Sequence, residues 1–124
     1  MPADNSAPQL PYTPAIRAGD FLFISGQVPR DPATRVVIGD DIEEQTHAVM
    51  KNLFAVLAAA SGKADSLVKV HVYLTDMSHV PDFNRIYISY FPHRLPARTT
   101  VGAALNGVMI EIDAVAYVGD KELL

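Results

Sequence analysis

The most regular hydrophobic pattern in the chain runs from Asp41 to Ala60. There Ile42, Thr46, Val49, Leu53, Leu57 and Ala60 recur at steps of three and four. That spacing returns side chains to one side of an α-helix and predicts a helix with a largely apolar stripe. Asp41 stands where an N-cap belongs, Glu44 where a capping box places its acid, and Ser61-Gly62 where the helix must stop. A second helix is predicted from about Val80 to Phe91, with Pro81 in its first turn and Val80, Phe83, Ile86, Tyr87 and Tyr90 as its stripe.

Elsewhere the period is two. Between Leu67 and Thr75, Val68, Val70, Val72 and Leu74 alternate with Lys69, His71 and Tyr73, as in a half-buried strand. A short strand ending at Ala18, a Gly19-Asp20 turn and a strand over Phe21–Gly26 form a predicted hairpin. Arg98–Leu105 and Met109–Val118 read as the last two strands, and Asn106-Gly107 between them predicts a second hairpin. The order β-β-α-β-α-β-β places the chain in the α+β class, with one mixed sheet and both helices on a single face. Residues 1–124 read as one domain, and the Pro- and Ala-rich residues 1–10 as a loose lead-in. In the last strand Ile110, Ile112, Ala114, Ala116 and Val118 suit the helix-covered core. Met109, Glu111, Asp113, Val115 and Tyr117 fall on the other side, a mixed surface that fits a subunit interface better than open water.

Composition narrows the function. The net charge is −4 and the 10 Lys and Arg are scattered, so no basic track for nucleic acid is expected. A small anion is compatible, because one well-placed Arg can outweigh a diffuse negative field. Without cysteine the chain has no disulfide, thiolate nucleophile or Cys-based metal site. His47, His71, His79 and His93 show neither H-x-H nor H-E-x-x-H spacing, so no metal is expected. No glycine-rich phosphate motif implies a nucleotide cofactor. The N-terminus lacks a basic patch and an apolar core of the signal-peptide kind, and no apolar run approaches the about 18 residues of a membrane span. The expected location is the cytoplasm, with no membrane partner.

Six residues are candidates for chemistry. Arg98, after Pro96-Ala97 at the mouth of a strand, has the planar fork that holds a carboxylate, though its spacing alone favours an ordinary surface or interface charge paired with a Glu. Glu111 lies within an apolar strand, where desolvation lifts a carboxyl toward the range useful for acid–base work. Its other reading is an interface salt bridge, with Arg98 among the possible partners. Tyr12 offers a hydroxyl to orient a ligand, or an aromatic packed at the start of the ordered chain. Ser25, with no G-x-S-x-G elbow, is not an activated nucleophile. Asn84, a mediocre helix former inside the second helix, points to a hydrogen-bonding role. Asp113 shares the face of Glu111 and reads as structural. Thr100 enters through the resemblance that follows.

Several stretches together resemble the RidA/YjgF family of reactive-intermediate deaminases. They are Tyr12-Thr13-Pro14-Ala15, Gly19 through Gln27 with Asp31-Pro32, Asp41 through Thr46, Val68-Lys69-Val70 through Met77, Asn84 before Tyr87, Pro96 through Val101, and Ile110 through Ala114. The likeness spans about residues 10–118. It implies a chorismate-mutase-like fold assembled as a homotrimer, with sites in clefts between neighbours. It also implies cofactor-free hydrolysis of 2-aminoacrylate, or its tautomer 2-iminopropanoate, to pyruvate and ammonia. In that scheme Arg98 clamps the substrate carboxylate with help from the backbone of Thr100. Glu111 activates water and handles the proton, Tyr12 closes over the ligand, and Ser25 and Asn84 line the pocket. The scheme needs Arg98 and Glu111, expected on adjacent strands, to share one sheltered cavity. Two departures stand out: a short Leu105-Asn106-Gly107 connection, and Asp113 where relatives commonly carry Glu. Other functions on the same frame are a non-catalytic 2-oxo acid-binding regulatory module and a deaminase of larger amino-unsaturated acids. Ribonuclease activity, which names in the family suggest, sits poorly with the acidic balance.

Overall fold

The computed structural model describes residues 10–119, so the lead-in expected over residues 1–10 lies almost wholly outside the described residues. Two strands, β1 (Ala15–Ala18) and β2 (Phe21–Gln27), lead into helix α1 (Ile42–Ala59). Strand β3 (Leu67–Leu74), helix α2 (Val80–Ile88), strand β4 (Ala97–Gly102) and strand β5 (Ile110–Tyr117) follow. One five-stranded sheet has the order β1-β2-β5-β3-β4. Only β3 and β4 pair in parallel; the other pairs are antiparallel. This is the expected α+β architecture, with the order of elements as predicted and both helices on one face.

The hairpin β1–β2 forms as read from the sequence, with Gly19 at φ +62° in the turn. In α1 Asp41 caps as expected, its Oδ1 accepting from the Glu44 N–H at 2.8 Å. Glu44 reaches one residue further back than a capping box, to the N–H of Asp40. The helix stops through Ser61, which takes the left-handed position at φ +64°, while the N–H of Gly62 returns to the carbonyl of Leu57. Helix α2 is three residues shorter than predicted. Pro92 disfavours helical backbone at Phe91, and the chain leaves through single turns in which Tyr90 and Phe91 still pack.

The predicted hairpin between the last two strands does not form. β4 lies at the edge, parallel to β3, and β5 runs between β2 and β3. Asn-Gly marks a turn, and Gly107 has φ +76°, but a two-residue reversal would need the strands to abut it. Here residues 103–109 instead carry the chain past the end of β3. The N–H of Ala103 bonds Leu74 and the N–H of Thr75 bonds Met109 on the way. β5 is buried on alternate residues and completes the centre of the sheet, a place its neighbours on both sides reward more than an edge.

The core lies between the sheet and the helices. Ile110, Ile112, Ala114 and Ala116 of β5 meet Val49, Leu53 and Leu57 of α1 there, joined by Val70, Val72, Phe83 and Tyr87. A register shift between Leu67 and Lys69 turns Val68 aside, so that Leu67 takes the buried place expected for Val68.

Candidate functional site

The site begins at an irregularity in β2. Ile24 pairs with Ala114 and Gln27 with Ile112, so β2 spends one extra residue over that stretch. A bulge of this kind bends the strand and re-aims its side chains. Ser25 turns its hydroxyl to donate to the Thr13 carbonyl at 2.6 Å, and its N–H bonds Pro14, which fastens the segment carrying Tyr12. Gly26 presents bare backbone to the next strand. A Cβ there would collide with the carboxylate of Glu111, so the glycine is what lets that side chain lie down against β2.

The result is a cavity of about 420 Å³ at the end of the sheet, walled by Tyr12, Ser25, Gly26 and Glu111 together with Arg30 and Arg35, and floored by Val28 and Val108. Burial, and then the charge of Asp113, raise the pKa of Glu111 above its ordinary value. Asp113 itself accepts from Tyr73 at 2.9 Å and contacts His71 at 2.8 Å, which fixes it as a structural acid on the helix-free face. Tyr12, Ser25 and Glu111, three of the residues singled out from sequence, are therefore brought together.

Arg98 is not among them. It pairs with Val70, beneath the helices, whereas Glu111 pairs with Tyr73 on the opposite face, and β3 separates their strands. The Arg98 guanidinium lies 5.2 Å from the ring centre of Phe83 and 5.0 Å from that of Tyr87. Within one chain Arg98 and Glu111 do not share a pocket, and the strands that carry them, expected to be adjacent through a hairpin, are separated by β3.

Thr100 lies two residues from Arg98 on the same face of β4. Its Oγ1, the Tyr87 hydroxyl and the Asn84 Oδ1 are buried without a hydrogen-bond partner among the described residues. Burial pushes the Tyr87 hydroxyl up to about 12. Orphaned polar atoms are rare in finished interiors and call for a cause. Arg98, Thr100, Asn84 and Tyr87 thus form a second polar group, on the β4 and α2 side of the molecule.

Sequence reasoning missed the residues that tie down the loops around the cavity. Gln45, only 4% exposed, accepts from the N–H of Met109 and donates to the carbonyl of Gly39. Asn52 donates to the carbonyls of Val28 and Arg30, at 2.9 Å each. Arg30 in turn bonds the carbonyls of Arg35 and Asn106 and so ties the loop after β2 to the loop before β5. The available signal was two amides seven residues apart in α1, a spacing of two helical turns that places them one above the other.

Fold and site together define a small α+β protein with a ligand-sized cavity beside a carboxyl of raised pKa. The family model described as Endoribonuclease L-PSP matches residues 3–118. A RutC family protein of Pyrococcus horikoshii is 44% identical over 109 residues, 86% of each chain. Among solved structures, YyfA of the conserved Rid protein family from Yersinia pestis superposes with a TM-score of 0.84 at 37% identity, over 94% of this chain and 96% of its own. RidA from an Antarctic Psychrobacter gives 0.83 at 30% identity, over 94% and 97%. The chain belongs to the RidA/YjgF family.

Proposed function

We propose that the protein is a cytoplasmic, cofactor-free hydrolase of small 2-imino and enamino acids, such as 2-iminopropanoate, releasing the 2-oxo acid and ammonia. The reading rests on one observation: a carboxyl of raised pKa held against bare backbone inside a cavity that Ser25 and Tyr12 also line. An imine carbon is already electrophilic, so the chemistry needs orientation and proton transfer rather than a covalent nucleophile. Glu111 takes a proton from water as the oxygen bonds C2. It returns that proton to nitrogen, and the carbinolamine collapses to the ketone and ammonia. A carboxyl of raised pKa is a better base for the first step than an ordinary Glu.

The residue that the resemblance assigns to the substrate carboxylate, Arg98, lies on the opposite face from Glu111 within one chain. The proposal therefore places the working site between two copies in a homotrimer, Glu111, Tyr12 and Ser25 from one and Arg98 with Thr100 and Asn84 from its neighbour. The orphaned polar atoms beside Arg98 support an unfinished surface there. RNA cleavage would require a basic track, which a chain of net charge −4 with scattered cations does not supply.

Two inactive variants test both parts. Glu111→Gln is expected to lower ammonia release from freshly generated 2-iminopropanoate by about 10²–10⁴-fold, and Arg98→Ala to do the same chiefly by loss of carboxylate binding. Co-refolded, the two variants recover activity, because some clefts then combine an intact Glu111 with an intact Arg98. Mixtures that stay as inactive as their parents reject the shared cleft, and wild-type protein that leaves the imine's spontaneous hydrolysis unchanged rejects the deaminase.

A further inference from the structure

The loop after β2 closes through a tight turn. The side chain of Asp31 accepts from the N–H groups of Ala33 and Thr34, and the N–H of Arg35 bonds the Asp31 carbonyl. Arg35 then sits at φ +67°, in the left-handed region that favours glycine. The turn needs that backbone conformation but not an arginine. Arg35 lines the 420 Å³ cavity and also a neighbouring apolar cavity of about 340 Å³. Among the described residues its guanidinium has no carboxylate partner. Beside it Arg30 spends its N–H groups on two carbonyls, which leaves its charge uncompensated as well. The one acid in this wall is Glu111, and neither guanidinium forms an ion pair with it. A three-carbon imino acid, with a single carboxylate, would use little of this space and neither charge, since sites of about 300–1,000 Å³ hold much larger ligands.

We propose that Arg35, backed by Arg30, is a second anion-recognition point that selects 2-imino and 2-oxo acids bearing a distal carboxylate over monoacids of the same length. The proposal names the substrate class for the site assigned above and rests on that assignment.

A matched pair of probes, 2-oxopentanedioate and 2-oxopentanoate, differs only at the far end. Titration calorimetry on the full chain is expected to show the diacid bound at least about tenfold tighter, the discrimination one charge-assisted hydrogen-bonded pair supplies. Arg35→Gly and Arg35→Gln both bring that ratio close to one. The kcat/KM ratio for the two corresponding imines falls in step. Arg35→Gly also relieves the turn, so its melting temperature stays at or above the wild-type value and unfolding is excluded as the cause. Equal affinity for the two acids in the wild type overturns the proposal, as does a ratio that neither substitution moves. A variant that changes only the oligomeric mass overturns it too. Diacid preference with no turnover of either imine sinks the deaminase and leaves the Arg35 site standing, whereas imine turnover without diacid preference does the reverse.

Discussion

Glu111 shows how far one residue's behaviour follows from its neighbours. Burial first, and Asp113 second, raise its pKa above the ordinary 4.5. A raised carboxyl pKa means that the folded chain holds this proton more tightly than the unfolded chain. The resulting contribution to stability is full below the unfolded value and is lost as pH rises through the folded one. Glu111→Gln is thus expected to gain stability relative to wild type between acidic and neutral pH, with urea midpoints at pH 4 and pH 7 as the check; a gap that fails to widen at pH 7 refutes the assignment. For the same reason the acid limb of the rate profile should lie above 4.5 and vanish in the Gln variant. Gly26→Ala is expected to abolish turnover while the protein still folds, since the new methyl takes the place of the carboxylate. Glu111 was legible in the sequence as a charge in an apolar strand. Gly26 was not, because its role arises only from a bulge that brings β2 against β5. At the end of α1, Ser61 at φ +64° offers an unrelated check: Ser61→Gly should add about 1 kcal/mol to the unfolding free energy in a denaturant titration.

Among the elements, α1 does more than cover the sheet. Its apolar stripe was readable from steps of three and four, and Val49, Leu53 and Leu57 are fully buried as that stripe requires. Its two amides carry the loops. Gln45→Leu keeps the volume but leaves the Met109 N–H and the Gly39 carbonyl without their partner. The expected cost is about 1–3 kcal/mol in denaturant unfolding, with weakened binding of a 2-oxo acid because the residues before β5 lose their tether. Stability and binding both at wild-type level would show that the loops hold without it. The failure of the predicted β4–β5 hairpin has a physical cause of the same scale. Asn106-Gly107 fixes where the backbone turns, but strand partners are chosen by which faces can be buried. β5 carries four alternating apolar residues that complete the core between β2 and β3, whereas β4 exposes Ala97, Thr99 and Val101 and serves as an edge. Local signals carried the elements themselves; the order across the sheet depended on contacts distant in sequence.

For the molecule as a whole, the decisive feature is the face that no helix covers. Ile16, Phe21, Phe23 and Val101 lie on it at 59, 41, 50 and 42% exposure, and Phe21 packs edge-on against Tyr117. In the middle sit His71 and Tyr73, each hydrogen-bonded to Asp113, so the surface is apolar with a satisfied polar centre. The alternation in β5 had already marked this side as a candidate interface. A face of this kind is costly to leave in water and is suited to another copy of the chain. If the proposed trimer closes over it, assembly and catalysis are one property, because the Glu111 cavity then lacks its carboxylate clamp in any isolated subunit. Phe23→Asp puts a charge into the apolar part of this face without touching the cavity walls. It should shift the sedimenting species from three chains to one and reduce turnover at least as much as Arg98→Ala does. Far-ultraviolet circular dichroism should stay unchanged, since Phe23 contributes nothing to the buried core. A variant that keeps the wild-type mass would show that the copies meet elsewhere. A fully active monomer would leave Arg98 without a role in the reaction and return the search for the clamp to the cations already in the wall of the cavity.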